Sequence, residues 1–128
     1  MFQEPKNYTD SNHFFYEAED DLEQVCNAPK DKEGVFKVFE LRYGRIELVY
    51  IGCSNSDGLF NEIVHGIHHD KNPREIGWIY QIVKDRADAL DVYWYVTKGN
   101  GEQKKEQVKM LKDFVAQTGK LPKWNKYL

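Results

Sequence analysis

The chain has 128 residues, 41% apolar and 14% aromatic, with a net charge of −3. That length suits one domain with its own hydrophobic core, no apolar run reaches the ~18 residues of a membrane helix, and the weakly acidic total argues against avid non-specific binding to nucleic acid, which rests on many phosphate contacts. Two cysteines, Cys26 and Cys53, are too few for a disulfide framework and form no CxxC pair, so a reducing, cytoplasmic setting is expected. The start, MFQEPKNYTDS, lacks the charged-then-apolar layout of a signal peptide.

The charge is unevenly spread. Residues 1–33 hold nine acids and three bases, residues 34–97 nine and seven, and residues 98–128 three and eight. The basic last third reads either as the solvated face of a helix or as a local patch for an anionic partner.

In chain order, residues 1–12 read as a polar leader. His13-Phe14-Phe15-Tyr16 forms a short strand, and residues 20–27 form a helix with acids early, where the dipole favours them. NAPKDKEG, residues 27–34, is loop by composition. Strands are expected at 35–42 and 46–52, rich in Val, Phe, Ile and Tyr and joined at Tyr43-Gly44-Arg45. Leu59, Phe60, Ile63, Val64 and Ile67 recur at helical spacing, so residues 57–69 read as a helix. DKNPRE separates it from a second helix at 75–86. Residues 91–96 are a strand and KGNGEQ a loop. Residues 103–118 make a final helix that Gly119 stops, and residues 121–125 are an extended tail. The order is β-β-α-α-β-α. The fold expected is α+β: a small three-stranded antiparallel sheet flanked by helices over residues 34–128, preceded by an acidic α/β extension, residues 1–33.

Gly34-Val35-Phe36, a hairpin, Tyr50-Ile51-Gly52, an amphipathic helix and the closing Leu121-Pro122-Lys123-Trp124-Asn125 together resemble the GIY-YIG nuclease superfamily over about residues 34–125. Members of that family cleave phosphodiester bonds of DNA with a divalent metal. The resemblance implies a tyrosine in the first motif, aided by the second, to activate water. It also implies an arginine on the first helix to neutralise the phosphate and a glutamate on a later helix to bind the metal. Phosphate attack needs such an activated nucleophile and positive charge at the phosphoryl oxygens.

On this chain the first tyrosine position is Phe36, which carries no hydroxyl, and the second is Tyr50. The arginine position, in Leu59-Phe60-Asn61-Glu62-Ile63, is Glu62, which reverses the required sign. The metal position falls on Gln107, with Glu106 beside it. Helical geometry sets Gln107 in the middle of the apolar face and Glu106 about 100° round the helix. The motif positions are therefore Tyr50, Glu62 and Glu106, with a divalent metal (Mg or Mn) implied if the site is active.

Three other groupings invite a functional reading. Glu62, His65 and His69 fall on one stripe of a helix through residues 57–69, a geometry able to hold zinc or a similar metal. With Glu106 they complete the candidate metal ligands, Glu106, His65 and His69. His68 is the third histidine of that cluster, and solvated histidines are its plain alternative. Tyr80, Tyr93, Trp94 and Tyr95 suggest a stacking platform for unpaired bases. Alternation along a strand, however, sends Val92, Trp94 and Val96 to one face and Tyr93 and Tyr95 to the other, which favours core. Arg42, Arg45 and Arg74 lie in or beside loops and offer a replacement for the missing cation. With Lys105 and Lys109 they are the candidate nucleic-acid contacts. Cys53 is expected to be buried and inert.

The reading is a divergent GIY-YIG-like domain with weak or lost phosphodiesterase activity, kept for binding nucleic acid or protein. The alternatives are a metal-dependent endonuclease with a rearranged site and a protein-interaction module whose acidic leader meets a basic partner. No membrane is expected.

Overall fold

The computed structural model describes residues 10–66, 68, 77–99 and 101–125. Eight elements follow in the order β1 (Asp10–Tyr16), α1 (Leu22–Val25), β2 (Gly34–Arg42), β3 (Arg45–Cys53), α2 (Leu59–His65), α3 (Trp78–Asp85), β4 (Ala89–Val96) and α4 (Glu102–Thr118). The four strands form one antiparallel sheet in the order β1-β4-β2-β3. The class is α+β, but the sheet has four strands where three were expected. The leader supplies the fourth: β1 pairs with β4 from Asp10↔Val96 to Tyr16↔Leu90.

The polar start of β1 reads as loop in sequence because its side chains work on the strand's free edge. Asp10 and Asn12 accept from the backbone N–H of the residue that follows each, Ser11 at 2.9 Å and His13 at 2.8 Å. Asn27 donates to the His13 carbonyl at 3.1 Å. An edge strand whose backbone groups are occupied this way offers a poor template for a further strand.

The two faces of the sheet are packed differently. One face carries Phe14, Tyr16, Phe36, Val38, Leu90, Val92 and Trp94, all buried against Leu59, Ile63 and Val64 of α2 and Trp78 and Ile82 of α3. The opposite face carries Val35, Phe39, Ile51 and Tyr95, also buried. There α4 lies across β2 and β3 with Gln103, Gln107 and Leu111 inward. Val92, Trp94 and Val96 thus lie in the core, and the Trp94 indole donates to Asn27 at 2.7 Å.

Several boundaries differ from expectation. α2 ends at His65, not residue 69, because Gly66 follows and the chain leaves there. Glycine is a poor helix former, and a Cβ at Gly66 would run into the Glu62 carbonyl and carboxylate. β4 starts at Ala89 and α4 at Glu102, inside the expected loop. α4 stops as expected: Gly119 takes φ 84° and its N–H returns to the Val115 carbonyl at 2.8 Å. The loop DKNPRE, with Arg74, and the first nine residues lie outside the described residues. Among the described residues no helix is long and apolar enough to cross a membrane.

Candidate functional site

Tyr50 projects from β3 into the first face, beside the ring of Phe36 (centroids 5.9 Å). The glycines of both motifs are explained by close approach. A Cβ at Gly52 would stand 2.6 Å from Phe36 Cζ and 2.7 Å from Tyr50 Cε2. One at Gly34 would run into the Tyr95 carbonyl and lie 2.8 Å from Leu59 Cδ1. Packing alone therefore accounts for the glycine of each triplet.

The partner that β3 finds for Tyr50 is His68, whose ring meets the phenol edge-on at 4.3 Å and lies between it and Trp78 and Trp124 (6.5 and 6.3 Å). Burial pushes the Tyr50 phenol well above its ordinary value, and the nearby Glu62 and Cys53 push the same way. Such a phenol stays protonated at neutral pH and is a poor base. Burial lowers His68 from 6.5 to about 4, so its imidazole is neutral. His68 was the histidine set aside in the sequence reading, which followed a helix that the structure ends three residues earlier.

Beside Tyr50 sit Glu62, half-buried on α2, and Cys53, one residue beyond Gly52. The Cys53 thiol is raised by burial, lowered by Lys104 and raised by Glu62. Alternation sends it to the α4 face, where it donates to Gln107 Oε1 at 3.2 Å. Lys104 donates to the same oxygen at 3.2 Å, and Gln107 Nε2 donates to the Ile51 carbonyl at 3.1 Å. Gln107 is buried as its place on the apolar face requires, and its amide already serves the protein at both ends.

Among the described residues, the expected motif position Glu106 and the expected arginines do not converge on Tyr50. Glu106 is on α4, across the sheet from Tyr50. His65 is exposed at the end of α2, which stops at that residue, and His69 lies outside the described residues. Among the described residues no group of three or more His, Cys, Asp and Glu is placed to hold a metal. Arg42 and Arg45 are at the tip of the β2–β3 hairpin, and Arg45 is roughly 16 Å along the strand from Tyr50 at ~3.3 Å per residue. Arg42 is engaged there with the Asp85 carbonyl (3.1 Å) and Glu47 (4.0 Å). The cation that acts electrostatically on Cys53 is Lys104; its only sequence signal was its place three residues before Gln107, a neighbouring position on a helix. No family model matches the chain, and neither a curated protein nor a solved structure matches it.

The aromatic platform is likewise dispersed. Tyr80 is on the outside of α3, and Tyr95 is fully buried under α4. Tyr93 stands parallel to His13 of β1 (4.6 Å, 9°), with Phe39 edge-on at 5.5 Å. What does gather is charge on α4: Lys104, Lys105, Lys109 and Lys112 line a shallow depression together with Val108 and Asp113.

Proposed function

We propose that the chain is a divergent GIY-YIG-like domain whose phosphodiesterase chemistry is weak or lost, and that it binds nucleic acid through α4. The β-β-α-α-β-α order after residue 33 supports the architecture. The loss of chemistry rests on three positions: a protonated phenol at Tyr50, a carboxylate at Glu62 and an amide at Gln107 that is fully engaged. A scissile phosphate placed there would meet a negative charge where transition-state stabilisation needs a positive one.

The single observation that carries the binding reading is the run of four lysines around Val108. They sit on the outer side of a helix whose inner side is fixed to the sheet, so their spacing is preorganised. Phosphate contacts of this kind position a nucleic acid without reading its sequence. A gel-shift series tests it. The expected result is a shift at low salt that fades steeply as salt rises, with Lys105→Glu/Lys109→Glu reducing the salt slope by about two. Supercoiled plasmid incubated with magnesium or manganese is expected to stay intact. Nicking that disappears in Tyr50→Phe and in Glu106→Ala would instead support an active, rearranged endonuclease.

A protein partner is the second reading, and one observation favours it. On the sheet face that α4 leaves uncovered, Phe15 is 53% exposed, beside the half-buried His13–Asp91 pair (2.8 Å). A missing gel shift at low salt, with Phe15→Ser abolishing capture of a defined protein partner, would move this reading to the front.

A further inference from the structure

We propose that Glu40 and Asp85 form an acid pair that takes up a single shared proton beneath the Lys123 ammonium, a pH-operated clasp between β2 and the end of α3. Glu40 is 1% exposed, at a point of β2 where Glu47 of β3 and Leu90 of β4 stand opposite it. An acid withdrawn from water must find its donors inside the protein. Glu40 Oε1 has one, Lys123 Nζ at 2.8 Å. Oε2 is buried too and meets no donor among the described residues. As a carboxylate, Glu40 therefore buries one charged oxygen with nothing to answer it. As a neutral acid it keeps Oε1 for Lys123 and gains an O–H to donate.

The acceptor for that O–H is at hand. The side chains of Glu40 and Asp85 are hydrogen-bonded to each other, and since an ionised carboxylate only accepts, such a bond needs a proton on one of the two. They are unequal hosts for it. Asp85 Oδ2 faces two donors, Lys123 Nζ at 3.0 Å and the Trp124 indole N–H at 3.4 Å, which favour its ionised form. Glu40 has one donor and no water, so the proton sits on Glu40. The other charges nearby do not change this. Arg42, two residues along β2, turns to the Asp85 carbonyl (3.1 Å) and towards Glu47 (4.0 Å). Glu47, directly across from Glu40 and 3.7 Å from Lys123, disfavours a further negative charge beside it.

The clasp has a definite sense. Burial holds the Glu40 carboxyl above its ordinary 4.5, although Lys123 pulls it down. The folded chain thus binds this proton more tightly than the unfolded chain. The stability it adds is fully present below 4.5 and is lost as pH rises through the folded value. Burial would raise Asp85 as well, but its bonds to Glu40 and Lys123 hold it below its ordinary 3.8. Its contribution is present above 3.8 and fades only as pH falls further, so the two windows do not overlap. Between them, taking up one proton closes the Glu40–Asp85 bond, and losing it sets two carboxylates against each other under one ammonium.

The test follows the side-chain carboxyl carbons of Glu40 and Asp85 by carbon-13 NMR across pH in the full chain. A shared proton shows as one step above 4.5 felt at both carbons, larger at Glu40, because interacting sites titrate as a pair. In Asp85→Asn the Glu40 step should move down, since the charge opposing its ionisation is gone. Glu40→Gln imitates the protonated acid, accepting from Lys123 through Oε1 and donating to Asp85 through Nε2. Its Tm, measured against that of the unmodified chain at each pH so that His68 cancels, should gain as pH rises through the Glu40 step. The proposal is overturned if Glu40 in the unmodified chain ionises at or below 4.5 with no echo at the Asp85 carbon, a result that needs no variant to fold. It is equally overturned if Glu40→Gln loses ground to the unmodified chain as pH rises.

Discussion

Gln107 and Cys53 are joined across the α4–sheet interface by a thiol-to-amide hydrogen bond of 3.2 Å. That contact occupies the acceptor end of the one side chain a nuclease of the resembled family would use, as a carboxylate, for its metal. With the donor end on the Ile51 carbonyl, the amide acts as a staple between α4 and β3.

Gln107→Glu should therefore weaken the fold rather than create a metal site. The carboxylate loses the donor to Ile51 and brings a charge into a buried position, and a cost of about 1–3 kcal/mol is expected from the unmade hydrogen bond alone. Denaturant unfolding measures it. The variant should gain no magnesium-dependent nicking and no metal-dependent rise in Tm; a rise in Tm with excess metal would contradict the packing role.

Cys53 is a local electrometer for the motif region. Its thiol is raised by burial, lowered by Lys104 and raised by Glu62. Glu62→Gln should lower its pKa and speed alkylation by iodoacetamide at pH 8, because the thiolate is the nucleophile. Lys104→Gln should slow it. Equal rates in both variants would mean that neither charge reaches the sulfur.

The motif glycines make a paired prediction. At Gly34 an added methyl meets the Tyr95 carbonyl, which cannot turn away without disturbing the β2–β4 ladder. At Gly52 it meets two ring edges, Phe36 and Tyr50, which are side chains rather than backbone. Gly34→Ala should cost more than Gly52→Ala; overpacking typically costs about 1–3 kcal/mol, with Gly34→Ala at or beyond the upper end. Thermal melting of the two variants decides the order, and equal losses would refute the distinction between backbone and side-chain obstacles.

These residues also explain what was legible beforehand. The hairpin, β4 and α4 carry their periodicity openly, and the inward placement of Gln107 followed from its position on the apolar stripe of α4. The start of β1 did not read as strand, because Asp10 and Asn12 serve an edge rather than a core. The end of α2 was missed for another reason: Ile67 continues the helical apolar pattern in sequence, so periodicity carried the expected helix past His65, where the structure ends it at Gly66, in close approach to Glu62. The role of His68 could not be read at all. It depends on Tyr50, Trp78 and Trp124 meeting from three separate stretches of chain, and no local pattern encodes that meeting.

His68 should make the protein acid-sensitive. Burial holds its pKa at about 4 against an ordinary 6.5. Below pH 6.5 the unfolded chain takes up a proton here that the folded chain refuses until about pH 4, so stability falls as pH falls through that window and is unaffected by this group above it. Over the whole window the loss amounts to about 3 kcal/mol. Asp85 and Glu40 also depart from ordinary values, so the useful quantity is a difference. Burial would raise the Asp85 carboxyl, but its hydrogen bonds to Glu40 and Lys123 hold it below the usual range. Burial and Asp85 raise Glu40 against the pull of Lys123. Subtracting the stability–pH curve of His68→Phe from that of the unmodified chain cancels both carboxylates. The remainder should be flat above pH 6.5 and slope downward between 6.5 and 4. A flat difference throughout would mean that His68 binds its proton equally well in the folded chain, and that the Tyr50–Trp78–Trp124 enclosure is open to water.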